Sequence, residues 1–169
     1  MALLEILQAP HPLLKSRAQA VMRVDDALRR LAEDMLETMY RAPGIGLAAP
    51  QVGVLQRLVV LDVADGEQQR PMVLVNPELV WRSDQRLTAE EGCLSLPGQY
   101  ADVTRAAEVG LRYTDQHGEE RELAAAGLLA RCVQHELDHL DGILFVDHLT
   151  ALKRNMIMRK LIKSRRARA

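Results

Sequence analysis

Between residues 25 and 40, apolar side chains recur at helical spacing: Leu28, Leu31, Met35, Leu36 and Met39 stand in DALRRLAEDMLETMY with charges between them, behind Asp25 and Asp26. The spacing predicts an amphipathic helix, ended by Pro43 and Gly44. The pattern then switches to branched apolar runs, RLVVLDVA at 57–64, bounded by Gly53 and by AspGly at 65–66, and MVLVNP at 72–77. These read as neighbouring strands. LVWRS at 79–83, EVGLRYTD at 108–115 and ERELAA at 120–125 are further strand candidates, the last two joined by a GlnHisGly turn at 116–118. After Ala124 the helical period returns in Leu128, Leu129, Cys132, Glu136, His139 and Leu140, with Gly142 placed as a C-terminal cap, and a last helix is expected over 149–165. Strands first and a late helix crossing them predict an α+β fold: mostly antiparallel strands around that helix, with one helix before and one after. No repeat, low-complexity run or linker interrupts residues 1–169, which are expected to form a single domain.

Composition narrows the class. The chain is 48% hydrophobic and long enough to bury about 70% of its unfolded surface in one core. Its net charge is -1, but the charge is uneven: the last 20 residues hold eight basic side chains (Lys153, Arg154, Arg159, Lys160, Lys163, Arg165, Arg166, Arg168) and no acidic one, leaving 14 basic against 23 acidic groups before them. An acidic body carries a basic segment over 153–169. Two cysteines are too few for a disulfide framework. The opening MALLEILQAPHPLLK lacks a basic leader region, has Glu5 inside its apolar stretch and offers no small-residue cleavage site, and no run approaches a membrane span. A cytoplasmic protein without a membrane partner is expected.

GIGLAAPQVG at 44–53 fits G-x-G-x-x-G/A at Gly44, Gly46 and Ala49, with Asp62 18 positions after Gly44. A dinucleotide fingerprint follows a strand and opens a helix, so that pyrophosphate meets the helix N-terminus. Here a helix precedes and a strand follows, so no nucleotide cofactor is expected. The glycines instead let a peptide lie close against the backbone.

HELDH at 135–139 is H-E-x-x-H in a helical context. Four residues make one helical turn, which puts both imidazoles on one face about 6 Å apart at their bases, near enough to share an ion. Glu136 beside them can take a proton from a water on that ion. The motif alone reads equally as a surface helix with two histidines, and a third ligand decides. The extended protease pattern HExxHxxGxxH runs as far as Gly142, but Phe145 holds the position of its third histidine. Cys132 is seven residues from His139, about 10 Å along the axis, and reads as a buried small apolar residue. His11, His117 and His148 read as surface or turn residues. Cys93 remains, in EGCLSLPG at 91–98, a segment expected to turn at ProGly. Alone it reads as an inert core thiol. With the histidine pair it is the best soft ligand available, and three protein ligands leave a fourth position open for water.

Three segments, GIGLAAPQ at 44–51, EGCLS at 91–95 and QHELDH at 134–139, make the chain resemble the bacterial peptide deformylases in motif, order and spacing over essentially its whole length. The resemblance implies removal of the formyl group from N-formylmethionine at the start of new polypeptides, with release of formate. It implies Cys93, His135 and His139 as ligands of one divalent ion, Fe2+ by expectation with Zn2+, Ni2+ or Co2+ as substitutes. Glu136 becomes the acid/base for attack by a metal-bound water, and Gln51 and the Leu94 N–H the oxyanion donors. Ile45, Gly46, Glu91 and Gly92 would line the substrate cleft, where the peptide binds extended, and Leu128, Cys132 and His135 the methionine pocket. Arg131 stands where a branched apolar residue is common in the family, and its head is expected to snorkel to the pocket mouth. Pro50 replaces a frequent threonine.

Two rival readings use the same features. A metallopeptidase would also use HExxH and a metal-bound water, without Cys93 as its third ligand. A binding module would hold RNA through the basic segment and keep the metal as a structural element. Within the enzyme reading, the same segment is expected to dock on ribosomal RNA. Taken alone, the segment reads as an amphipathic helix whose Met156, Ile157, Leu161 and Ile162 pack on the body.

Overall fold

The computed structural model describes residues 2–64 and 68–168, and of Arg168 the backbone alone. Helix α1 (Asp26–Arg41) begins where the Asp25 carboxylate accepts from the Leu28 N–H, and it buries Leu28, Ala32, Met35, Thr38 and Met39 along one stripe. Strands β1 (Gly46–Ala48), β2 (Leu58–Leu61), β3 (Met72–Arg82), β6 (Glu108–Thr114) and β7 (Glu120–Ala126) form one sheet in the order β1-β2-β3-β6-β7. Between β3 and β6, β4 (Arg86–Cys93) and β5 (Leu96–Ala106) pair only with each other, and every pairing between these strands is antiparallel. Helices α2 (Gly127–Leu140) and α3 (Ala151–Arg168) follow. The α+β expectation holds, with the HExxH helix packed on the sheet.

The period-2 geometry of β2 explains its unbroken apolar sequence. Val59 and Leu61 join Ala130, Val133, Leu137 and Leu140 of α2, whereas Leu58 and Val60 join Leu28, Ala32, Met35 and Met39 of α1. The strand is buried on both faces. A third cluster joins Leu96 and Val103 of β5 to Phe145, Val146 and Leu161. Each fully buried Leu or Met in these clusters stabilises the fold by about 1.5–3 kcal/mol.

Gly142 terminates α2 as its position predicted. Its N–H donates to the His139 carbonyl at 3.2 Å and the Ile143 N–H to that of Asp138 at 2.9 Å, with Gly142 at φ 74°. A Cβ there would come within 2.5 Å of the Lys15 carbonyl oxygen, so the glycine also lets the Pro12–Lys15 turn pack on the helix end.

Three expectations change. The two strands expected at 72–77 and 79–83 are one, β3, with a register skip between Val75 and Glu78. Asn76 makes the break tolerable: at φ 51° its amide bonds the N–H and C=O of Val21, both at 2.8 Å. The turn of the EGCLS segment lies at Leu94 and Ser95, with Pro97 and Gly98 inside β5. The glycine-rich stretch itself forms β1 and a one-turn 3-10 helix, Ala49–Val52. On α3 the docked side chains are Ile157, Met158 and Leu161, while Met156 and Ile162 are exposed. The AspGly pair at 65–66 and the Arg168 side chain lie outside the described residues.

Candidate active site

Three elements meet over α2. The helix presents His135, Glu136 and His139, the end of β4 brings Glu91, Gly92 and Cys93, and β1 with the turn after it brings Gly46 and Gln51. The ligand atoms of Cys93, His135 and His139 lie within 4.8 Å of one another, with Cys93 Sγ 3.3 Å from His139 Nε2. The imidazoles meet edge to face, their centroids 5.0 Å apart. One thiol and two imidazoles suit a borderline transition metal, and Glu136 Oε1 is buried beside them without a hydrogen-bond partner. The donor set fits the implied ion.

Glu91 organises the far side of this cluster. Its Oε1 accepts from His135 Nδ1 and Arg105 Nη2, each at 2.9 Å, and its Oε2 from Arg105 Nε at 2.6 Å and Arg131 Nη1 at 2.5 Å. Burial pushes this carboxyl up, but the bonds from His135 and Arg105 outweigh it and hold the group well below the usual carboxylate range. An ionised Glu91 fixes Nδ1 of His135 as the donor and leaves Nε2 for the cluster. Arg105 continues the network to Asp138 at 2.9 Å, which also receives His148 Nε2 at 2.7 Å.

Burial raises the Glu136 carboxyl to about 7, against the opposing pull of His135 and Arg105. Burial pushes His139 well below its ordinary value, so its ring is neutral and its lone pair free to bind a cation. Burial, then the nearby Glu136 and Glu91, push the Cys132 thiol up, which leaves it the small apolar residue expected.

A cavity of about 740 Å³ opens onto the cluster. All the sequence-predicted site residues contribute to its wall except His139, which lies behind it and is 1% exposed. Gln51 is buried, its Oε1 accepting from the Ala48 N–H at 2.9 Å and its Nε2 facing Cys93 Sγ at 3.6 Å. Gly46 lies against α2: a Cβ there would stand 2.5 Å from Glu136 Oε2 and 3.0 Å from Cys132 Sγ.

Two side chains make bonds that the sequence did not signal. The Arg131 head lies in the cavity wall, where it donates to the buried carboxylate of Glu91 and to the carbonyls of Val103 and Leu87, at 2.9 and 2.8 Å. His148 is the exposed turn residue expected, and its Nε2 meets Asp138 at 2.7 Å. Arg105 and Ser95 escaped sequence reasoning. Ser95 stands within EGCLS, where its motif could have marked it, whereas Arg105 is 14 residues from Glu91 with no local signal.

The comparisons with known proteins agree with this geometry. The family model described as polypeptide deformylase matches residues 3–155. The peptide deformylase of Phenylobacterium zucineum is 54% identical over 168 residues, covering 99% of each chain. The crystal structure of a peptide deformylase from Legionella pneumophila superposes with a TM-score of 0.93 at 46% identity, covering 99% of this chain and 98% of that one. That of peptide deformylase from Ehrlichia chaffeensis gives 0.94 at 36% identity, covering 98% of both. The chain therefore belongs to the polypeptide deformylase family, metal-dependent hydrolases that remove the N-terminal formyl group from new polypeptides.

Proposed function

We propose that residues 1–169 act as one catalytic domain that hydrolyses the formyl amide of N-formylmethionyl peptides and releases formate. The observation that carries this reading is the convergence of Cys93, His135 and His139 with Glu136 and Gln51 at one buried cluster. Cys93, His135 and His139 would hold the ion, Fe2+ by family resemblance with Zn2+, Ni2+ or Co2+ as substitutes. When bound, such an ion lowers the pKa of a water and polarises a carbonyl. Glu136, a carboxyl whose pKa lies near neutrality, takes the proton of the attacking water and returns it to the departing amine. The amide of Gln51 and the N–H of Leu94 donate to the carbonyl oxygen as it gains charge, a donor of this kind contributing roughly 3 kcal/mol. Ile45, Gly46, Glu91 and Gly92 border the extended peptide, and Leu128, Arg131 and Cys132 the methionine side chain. Cys132 and the bound head of Arg131 keep that wall free of mobile charge.

The test is formate release from formyl-Met peptides by anaerobically prepared protein, beside Glu136→Ala. The variant should keep its metal and lose nearly all turnover. Full activity in it removes Glu136 from the mechanism.

The basic α3 is read as a contact to ribosomal RNA, in a cytoplasmic enzyme. Lys153, Arg159, Lys160 and Lys163 are exposed on it, and no helix among the described residues is long and apolar enough to cross a membrane. Because Leu161 of this helix is fully buried, deletion would open the core, so the charges are tested in place. Lys153→Glu with Lys160→Glu and Lys163→Glu should weaken ribosome co-sedimentation, as raised salt does for the wild type. Sedimentation unchanged by both refutes the contact.

A further inference from the structure

Ser95 closes EGCLS, yet neither the metal nor the cleft wall uses its side chain. It is fully buried, and its Oγ accepts from Gln51 Nε2 at 3.1 Å. The other end of that amide is fixed independently, because the Ala48 N–H needs an acceptor and finds Gln51 Oε1. Oxygen therefore faces Ala48 and the NH2 group faces Ser95. An amide NH2 carries two hydrogens in one plane. With one held by Ser95, the second is turned toward Cys93 Sγ, 3.6 Å away, and so toward the metal cluster.

The backbone of the same two residues is tied by a segment distant in sequence. The Leu7 N–H donates to the Gln51 carbonyl at 2.7 Å and the Ala9 N–H to the Ser95 carbonyl at 2.9 Å. Residues 7–9 thus bridge the turn that carries Gln51 and the hairpin turn that carries Ser95. Neither turn can slide past the other without breaking one of these bonds.

We propose that Ser95 is a positioning residue for Gln51: its hydroxyl oxygen holds one N–H of the amide so that the other donates to the carbonyl oxygen of the formyl group. This rests on the reading of Gln51 as a carbonyl-oxygen donor. The class of ligand concerned is the formyl amide itself.

The test is a double-mutant cycle of Ser95→Ala and Gln51→Ala on the metal-loaded enzyme, with kcat, KM, metal content and melting temperature measured for each. Ser95→Ala should lower kcat about tenfold, a fraction of the roughly hundredfold or greater loss on removing a donor altogether, with KM and metal content unchanged. In the Gln51→Ala background it should cost nothing further. Equal losses in both backgrounds, or no loss in either, overturn the proposal. Unchanged kcat in Gln51→Ala alone overturns the reading of Gln51 instead. A second measurement separates the two and needs no variant: the side-chain NH2 protons of Gln51 in the zinc-loaded wild type should give two resolved, slowly exchanging NMR signals. An averaged, solvent-like pair there overturns the positioning role.

Discussion

The carboxylate of Glu136 lies so close to Gly46 that a Cβ on the glycine would fall 2.5 Å from Oε2. Both residues are buried, one on α2 and the other at the start of β1, so neither can step aside cheaply. Gly46→Ala should therefore push the carboxylate out of line while the ligands stay where they are. Displacements of about 1 Å at a reacting group cost on the order of a hundredfold. The expectation is a loss of that size in kcat with full metal content, measured by formate release and metal analysis. A variant that keeps a tenth or more of wild-type turnover would refute it.

Glu91 carries Arg105, Arg131 and His135 on two oxygens. Glu91→Gln keeps the shape but removes the charge that both guanidinium groups face. Breaking a buried pair in this way costs about 3–5 kcal/mol. Urea denaturation should show that drop with an unchanged slope, together with weaker metal retention as His135 loses its orienting acceptor. A drop below about 1 kcal/mol, the range of exposed pairs, argues that Glu91 is solvated in solution.

The cost of removing the ion follows from linkage. At an ion concentration a hundred times its dissociation constant, binding stabilises the folded state by about 2.7 kcal/mol, or roughly 5–10 °C for a domain of this size. Chelation should lower the melting temperature of the wild type by that amount and leave Cys93→Ala unmoved. An equal shift in both would mean that Cys93 is not a ligand.

Acid should loosen α3 through Asp147. Its carboxylate accepts from Lys15, from Arg154 Nε at 2.9 Å and from the Leu144 N–H at 2.9 Å. Burial raises this carboxyl, but the bond from Lys15 and the others outweigh it, and the group sits below its ordinary value of 3.8. A depressed carboxylate stabilises the fold fully above the unfolded value and loses that contribution as pH falls through the folded one. The melting-temperature gap between wild type and Asp147→Asn should thus be constant from pH 7 to about 5 and close below 4. A gap that widens on acidification contradicts the assignment.

What could be read from the chain divides along physical lines. Helix α1 and the pairing of β6 with β7 were legible because one buried stripe or a short polar turn sets each pattern locally. The cluster of Cys93, His135 and His139 was legible through motif spacing and resemblance together. β4 was not, since all but the end of it is exposed and no apolar alternation marks it. The same hairpin hid its own turn, because ProGly is the stronger turn signal and yet lies in β5. Arg105 was invisible for a different reason: its meaning comes from Glu91 and Asp138, which reach it only once the hairpin has folded over α2.

Arg165 of α3 donates to the carbonyl of Ala9, the Ala9 N–H donates to the Ser95 carbonyl, and the Ser95 hydroxyl accepts from the Gln51 amide. Three hydrogen bonds in series thus form a tether from the outermost helix to an amide inside the cleft. A partner that holds the helix side-on, by its outward lysines, leaves these bonds made and the amide aimed. One that peeled the helix from its seat would slacken the catalyst with it.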